Sequence, residues 1–509
     1  MRMMVSPRRY GSSFCSRQAL DIEMGIDARL PPLETAGRAG ERDLGDAART
    51  SARVVTVSLP PAQRDLRLDL FRGLANWAMF LGHIPSSVLA WLTLRKYGFS
   101  DGADLFVFIS GYTSGLVYAR RTRERGFVFG ATRVMRRVWQ IYVAHVLLLA
   151  FYLASIHFLS QTFNAPDFID RYNVASLTSA PVEVLIHGLI LKYKPVNLDV
   201  LPLYVVLMAC FPPVLWLMLR HRNAVMLASV LLYLAARQSG WNLPSYPSGV
   251  WYFNPLAWQL LFVLGTWLAL GGVDTLHFLV RSPLVGLVGA IYLLFAAVLT
   301  LAALVPELQR IVPRVLFEAF NPNDKTNLAP YRVLHLVILI VVVVRFIPID
   351  APGLKAAIWR PLVKCGQHSL EVFCVGIYLS FIAAFMLEVT SDGIVAQLLV
   401  GTGGLSIMTA VAYYRSWSKR GDKTIEAGLH HLVDERRPPI GYTSDGRSRS
   451  AVSCGNIESP TTLLMSTVSP ERVGVFSSIN WLMSSSSPVL RLHDKPAVIA
   501  ASLADVLLQ

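Results

Sequence analysis

Charge is scarce in this chain: only 16% of its 509 residues are Asp, Glu, Lys or Arg, against 53% that are hydrophobic. With a mean hydropathy of +0.47, that balance excludes an ordinary soluble protein of several domains and indicates a polytopic membrane protein. Cysteine is scarce too. Cys15, Cys210, Cys365, Cys374 and Cys454 form no C-x-x-C pair, and three of them fall in or beside apolar runs, which argues against a disulfide framework and against a zinc site. The opening stretch, MRMMVSPRRYGSSFCSRQAL, has positive charge but no continuous apolar segment, so it does not read as a cleaved secretory signal. Also missing are G-x-x-x-x-G-K-[ST], a dinucleotide fingerprint and G-x-S-x-G; Ser110 in F-I-S-G-Y lacks the preceding glycine. ATP-driven transport and serine-hydrolase chemistry therefore have no local support. No internal repeat of the kind found in inverted-repeat transporters is evident.

What the chain does have is long apolar runs. Ten approach the roughly 20 residues that a spanning helix needs, near 68–92, 103–119, 138–160, 198–219, 224–238, 255–272, 283–305, 331–348, 369–388 and 394–414. The expected fold is all-α, a bundle of about ten transmembrane helices over residues 64–418. Residues 1–63 are expected to be a disordered cytoplasmic leader and 419–509 a low-complexity, disordered cytoplasmic tail, since both are polar and without sustained periodicity. VEVLIHGLILK, 182–192, is too short to span and reads as an interfacial or re-entrant helix.

Orientation follows from RRTRERGFVFGATRVMRR, 120–137, with seven Arg against one Glu. Such a loop stays cytoplasmic, which puts both termini inside and the aromatic, polar segment 239–255 outside. The same rule accounts for the formal charge of +14, so no nucleic-acid partner is expected. The partner is the bilayer.

The first span carries an unusual set of side chains: Asp69, Arg72, Asn76 and His83 lie among leucines and aromatics. At about 100° per residue, Asp69, Asn76 and His83 fall within roughly 60° of Arg72 on one face of the helix. Each ionised group at a helix centre costs roughly 3 kcal/mol to insert, so the stripe must meet partners or a wet cavity inside the bundle. His83 stands about 16 Å along the helix from Arg72, before Pro85, Ser86 and Ser87, and is the side chain suited to proton transfer near neutrality. An ion pair of Asp69 with Arg72 at the headgroups, and a packing role for His83, are the plainer alternatives.

Arg72 and His83 make an R-x10-H motif which, followed by GADLFVFISGY at 102–112, resembles the integral-membrane acyltransferases that modify sugar hydroxyls. More narrowly, NLDVLPLY (197–204), DKTNLAPYRVLH (324–335) and CGQHSLEVF (365–373) resemble the OpgC branch, over roughly 64–415. That resemblance implies a bacterial inner-membrane enzyme that transfers succinyl from cytoplasmic succinyl-CoA to hydroxyls of osmoregulated periplasmic glucan. It implies a donor substrate, succinyl-CoA or another acyl-CoA, rather than a permanently bound cofactor.

His83, Arg72 and Asp104 are the expected catalytic residues, with Asp104 orienting His83 or binding a sugar hydroxyl. Asp69, Asn76, Asp199, Asp324, Lys325, Asn327, Arg332 and Glu371 are the expected substrate-binding residues. Carboxylate, amide and guanidinium groups suit a carbohydrate, although helix capping explains several of the same residues. Asp101 is expected to be solvated, and Gly111 and Gly115 to serve helix packing. Glu183 and His187 have metal-ligand spacing but no third ligand. Two other readings stay open: an acetyltransferase acting on another polysaccharide, a lipid or an antibiotic, and a transporter or channel whose proton or ion path uses Asp69, Arg72 and His83.

Overall fold

The computed structural model describes residues 65–163, 170–272, 274, 280–349, 351–390 and 392–435, with side-chain surroundings as far as residue 421. The chain divides into a unit of residues 1–428 and a second of 429–509. Of the second, only the helical backbone of 429–435 is described; the first holds all the side chains discussed below. The expected leader and the tail beyond 435 lie outside the described residues.

The described residues are helical apart from loops and two isolated bridges, Tyr193 with Tyr246 and Pro244 with Val250. The principal helices are α1 (Leu66–Gly82), α2 (Gly102–Arg125), α3 (Phe127–Thr162), α4 (Pro181–Leu189), α5 (Val200–Ser239), α6 (Pro255–Trp267), α7 (Pro283–Ala302), α8 (Pro330–Phe346), α9 (Arg360–Gln367), α10 (Ser369–Val389) and α11 (Ile394–Glu435). Helix therefore occurs at every run expected to span. The number that can span needs correction, because six helical segments rather than ten are long and apolar enough to cross a membrane among the described residues.

Three causes account for the difference. The runs 198–219 and 224–238 both lie in the 40-residue segment α5, two helices joined across a break at His221 (φ −138°, ψ 62°), and this segment counts once among the six. α1 and α8 have 17 residues each, about 25 Å at 1.5 Å per residue and short of the hydrocarbon thickness. In α2 the apolar run is interrupted by Asp104, Ser110, Thr113 and Ser114.

α1 begins at Asp65, whose side chain accepts the Arg67 backbone N–H at 2.9 Å, satisfying one of the first-turn donors that no intrahelical carbonyl reaches. It stops at His83, which is the C-terminal cap rather than a mid-helix residue. Pro85 brings no N–H to the ladder, and Ser86 turns the chain with φ 57° into short 3-10 turns at Val88–Leu92 and Leu94–Lys96. This early stop lets the expected 25-residue run end in a loop that folds back over the bundle.

Two glycine-mediated crossings fix the interior. A Cβ on Gly111 of α2 would overlap the Phe262 carbonyl of α6, and one on Gly265 would overlap the Phe108 carbonyl in return. Thr266 Oγ1 donates to the Gly111 carbonyl across this contact at 3.0 Å. α1 meets α9 in the same way, Gly73 against Leu362 and Gly366 against Asp69. Lipid tails offer little hydrophobic drive between helices, so close backbone approach and dense side-chain packing supply the attraction. The packing role expected of Gly111 is thus shown. Around these crossings lies a core that includes Trp258, Phe211, Phe262, Tyr152 and Phe381, all almost wholly buried.

Candidate active site

The crossing of α2 with α6, and of α1 with α9, leaves a cavity of about 930 Å³ at the end of the bundle where α1 finishes and α2 begins. It lies within the volume range of small-molecule sites. Its wall combines the end of α1 with the α4–α5 connection, the 239–255 loop and the segment leading into α8. Among the lining residues are His83, Ser86, Arg95, Lys96, Asp101, Lys194, Asn197, Asp199, Asn323, Lys325 and Arg332.

His83 enters this wall because α1 ends under it. Its Nδ1 is enclosed and has no hydrogen-bond partner among the described residues, so it remains available to a ligand.

The N-terminus of α2 forms the most strongly charged part of the wall. Asp101 is the N-cap, and its Oδ1 accepts the Ala103 N–H at 2.8 Å, while Asp104 Oδ2 accepts the Asp101 N–H at 2.8 Å. This reciprocal pattern is a capping box built from two aspartates. Two cations are drawn to it: Lys325 Nζ stands 2.6 Å from Asp101 Oδ2, and Arg332 Nη2 stands 2.5 Å from Asp104 Oδ2 and 3.6 Å from Asp101 Oδ2. The expectation that Asp101 is solvated is therefore corrected, since it is buried and paired. Burial alone would raise its carboxyl, but Lys325 and Arg332 outweigh that and hold it below the usual carboxylate range. Asp104, with its side chain 1% exposed, spends its Oδ2 on Arg332 and the capping bond; its Oδ1 is buried without a partner among the described residues. It holds the end of α8 rather than the His83 ring.

The remaining expected residues separate into groups. Lys325, Arg332 and Asp199 line the large cavity. Asp199 precedes the first turn of α5, where burial raises its carboxyl to about 6. Asp324 and Asn327 do not line it: Asp324 pairs with Arg237 at 3.0 Å and accepts the Asn327 N–H at 3.1 Å, while Asn327 Oδ1 accepts from Asn254 Nδ2 at 3.0 Å. These two shape the turn that presents Lys325. Glu371 lies apart, held by Arg415 at 3.2 Å, near His368, which bonds Ser416 Oγ at 2.9 Å.

Arg72 opens on a second cavity, about 200 Å³, with Ser110, Thr113, Tyr118, Arg137, Tyr204 and Ser369. Its Nη2 donates to Thr113 Oγ1 at 2.6 Å. Asn76, between Arg72 and His83, is buried and donates to the Ser369 carbonyl at 3.3 Å, with Oδ1 left unpartnered among the described residues. Asp69 is buried where α1 meets α9. The polar stripe thus connects two separate cavities, with Arg72 in one, His83 in the other, and 11 residues or about 16 Å of helix between them.

Glu183 and His187 act together on a different object. Tyr246 donates to Glu183 Oε2 at 3.0 Å and stacks on the His187 ring at 4.1 Å, which fastens the 239–255 loop to α4. Among the described residues no group of three or more His, Cys, Asp or Glu is placed to hold a metal ion.

Sequence reasoning passed over Lys194, Arg95 and Lys96, which the fold carries into the large cavity, and the buried pair of Ser100 Oγ with His335 Nδ1 at 2.7 Å beneath it. The signal for Lys194 was present in KYKPVNLD, a lysine five residues before the Asp199 already selected.

No curated protein and no solved structure matches the chain. A family model does: the one described as OpgC protein covers residues 64–420, a range that includes every helix lining the two cavities. The chain belongs to the OpgC family, and the class of activity that comes with that membership is acyl transfer.

Proposed function

We propose that this protein is an integral inner-membrane O-acyltransferase that carries an acyl group, succinyl by family resemblance, from a cytoplasmic acyl-CoA to a hydroxyl of periplasmic glucan. On this reading both termini are cytoplasmic: α5 crosses twice, once on each side of its break at His221, and the shorter helices α1, α2 and α8 cross with the other five long ones, ten crossings in all. The observation that carries it is the pair of cavities at either end of one polar stripe on α1, His83 in the larger and Arg72 in the smaller.

The larger cavity faces the periplasm and takes the acceptor. Its volume of about 930 Å³ and its mixed carboxylate, amide and cationic wall suit a polyol. The smaller cavity faces the cytoplasm. Arg72 and Arg137, the latter from the arginine-rich 120–137 segment, give it the charge to hold the phosphates of a nucleotide thioester.

In the reaction, neutral His83 accepts the proton of the glucan hydroxyl as that oxygen attacks the thioester carbonyl. A carbon–oxygen bond forms and the carbon–sulfur bond breaks. The departing thiolate recovers the proton from the imidazolium, so the enzyme ends in its starting state. Asp101, Lys325, Arg332 and Asp104 keep the ends of α2 and α8 in place around the acceptor.

The experiment compares periplasmic glucans by mass spectrometry from a deletion strain and from strains restored with wild type or His83→Ala. Loss of acyl substituents on deletion, regained with wild type only, supports the assignment. Unchanged acyl content on deletion removes the glucan acceptor, and an ion current carried by purified protein without donor brings the transporter reading forward.

A further inference from the structure

The large cavity is more positive than a site for a neutral sugar requires. Arg95, Lys96, Lys194, Lys325 and Arg332 line it against the carboxylates of Asp101 and Asp199. Lys325 and Arg332 are already committed to the two aspartates that cap α2, and Arg95 donates to the Gly82 carbonyl at 2.9 Å at the exposed mouth. Lys194 differs from all of these. It is 6% exposed, yet among the described residues its ammonium meets only the Leu191 carbonyl at 3.3 Å and the Trp251 ring at 3.8 Å from the centroid. Among the described residues no carboxylate lies within ion-pair distance of it.

An ammonium removed from water without a carboxylate is expensive to keep, and a carbonyl with an aromatic face offsets only part of that cost. Burial lowers Lys194 to about 8, with Asp199 opposing. Asp199 raises it only by its charge at a distance, with no ion pair between the two among the described residues. A polyol acceptor gives no reason to hold such a cation in the wall. An anion does.

We propose that Lys194, backed by Trp251, is an anion subsite of the large cavity that binds a carboxylate or phosphate carried by a substrate. Two sources share this chemistry: the free carboxylate of a dicarboxylic acyl group such as succinyl, and an anionic substituent on the glucan. In the first case Lys194 is the specificity determinant that separates succinyl from an acyl group of equal length without the second carboxylate. This inference rests on the proposed acyl transfer, and its test is arranged to read the subsite without turnover as well.

Binding of free succinate and of butyrate to purified full-length wild type, Lys194→Met and Lys194→Arg protein is measured by calorimetry. Succinate binding to wild type that is at least tenfold weaker in Lys194→Met and largely kept in Lys194→Arg supports the subsite, whatever the enzyme turns over. Equal succinate binding by wild type and Lys194→Met overturns it, as does absence of succinate binding combined with equal effects of Lys194→Met in every transfer assay.

Transfer is then followed from succinyl-CoA and butyryl-CoA to a neutral glucan and to a phosphoglycerol-bearing glucan. If the acyl carboxylate is the ligand, the succinyl-to-butyryl ratio of kcat/KM falls at least tenfold in Lys194→Met on either acceptor, and Lys194→Arg restores it. A loss that follows the phosphoglycerol acceptor with either donor supports the subsite and assigns it to the glucan. Equal loss with all donors and acceptors assigns Lys194 to holding the 191–251 contact and overturns the proposal. A wild type that transfers neither group, yet binds succinate through Lys194, fails the proposed function and leaves the subsite standing.

Discussion

Arg332→Met exposes what the charged end of α2 is worth. Arg332 and Asp104 are 3% and 1% exposed, joined at 2.5 Å, and the other donor to Asp104 is the Asp101 backbone N–H at 2.8 Å. Two unit charges about 4 Å apart between centres attract by about 4 kcal/mol at an effective dielectric of roughly 20. Breaking a buried pair from one side costs about 3–5 kcal/mol, because the orphaned charge stays buried. Arg332→Met is therefore expected to lose about that much stability, with a further contribution from Asp101, which Arg332 approaches at 3.6 Å. Asp104→Asn combined with Arg332→Met removes both charges, and its loss should fall short of the sum of the singles by about 2 kcal/mol or more. The assay is detergent-solubilised protein unfolded by SDS titration and followed by far-UV circular dichroism. Additive losses for the two substitutions would refute the pairing as an energetic unit.

Three other predictions address packing, the donor end and the anion subsite. Gly265→Val drives a side chain into the Phe108 carbonyl and should cost about 1–3 kcal/mol or more, read as a lower SDS midpoint; an unchanged midpoint contradicts the α2–α6 contact. Arg72→Ala should raise KM for acyl-CoA about tenfold, equivalent to roughly 1.4 kcal/mol, while leaving binding of the glucan to the large cavity as in wild type; an effect on glucan affinity alone contradicts the separation of the cavities. Lys194, lowered to about 8 by burial against the opposing charge of Asp199, is cationic below that pH and neutral above it. Preference for succinyl over butyryl should therefore hold near neutrality and decline as pH rises through about 8, and a ratio flat from pH 7 to 9.5 contradicts the assignment.

The helices were legible because each apolar run is long and bounded by polar residues, and helix occurs at all ten positions where such a run was found. The count of spans was not legible to the same degree. Hydropathy does not show that Pro85 and Ser86 end α1 at Gly82, nor that Asp104 and the hydroxyl residues leave α2 less apolar than its neighbours. Within the site, helical spacing placed Arg72 and His83 on one stripe, but not their division between two cavities. Asp324 and Asn327 carry the side chains a sugar site needs, yet the same chemistry closes a turn, and only the fold shows Arg237 and Asn254 meeting them. Glu183 and His187 have a ligand's spacing and hold a tyrosine from a loop 59 residues further on than His187. The Ser100–His335 pair stayed hidden for the opposite reason: its partners stand 235 residues apart and no local pattern marks them. Lys194 stood near Asp199 in KYKPVNLD, but the fold alone shows Trp251 against its ammonium.

The most direct test of the central claim uses proteoliposomes with the protein oriented as proposed, labelled acyl-CoA sealed inside and glucan supplied outside. Wild type should place label on the external glucan, and His83→Ala, incorporated to the same level, should place none above protein-free vesicles. Equal labelling by His83→Ala would contradict the assignment of that imidazole as the base at the end of α1.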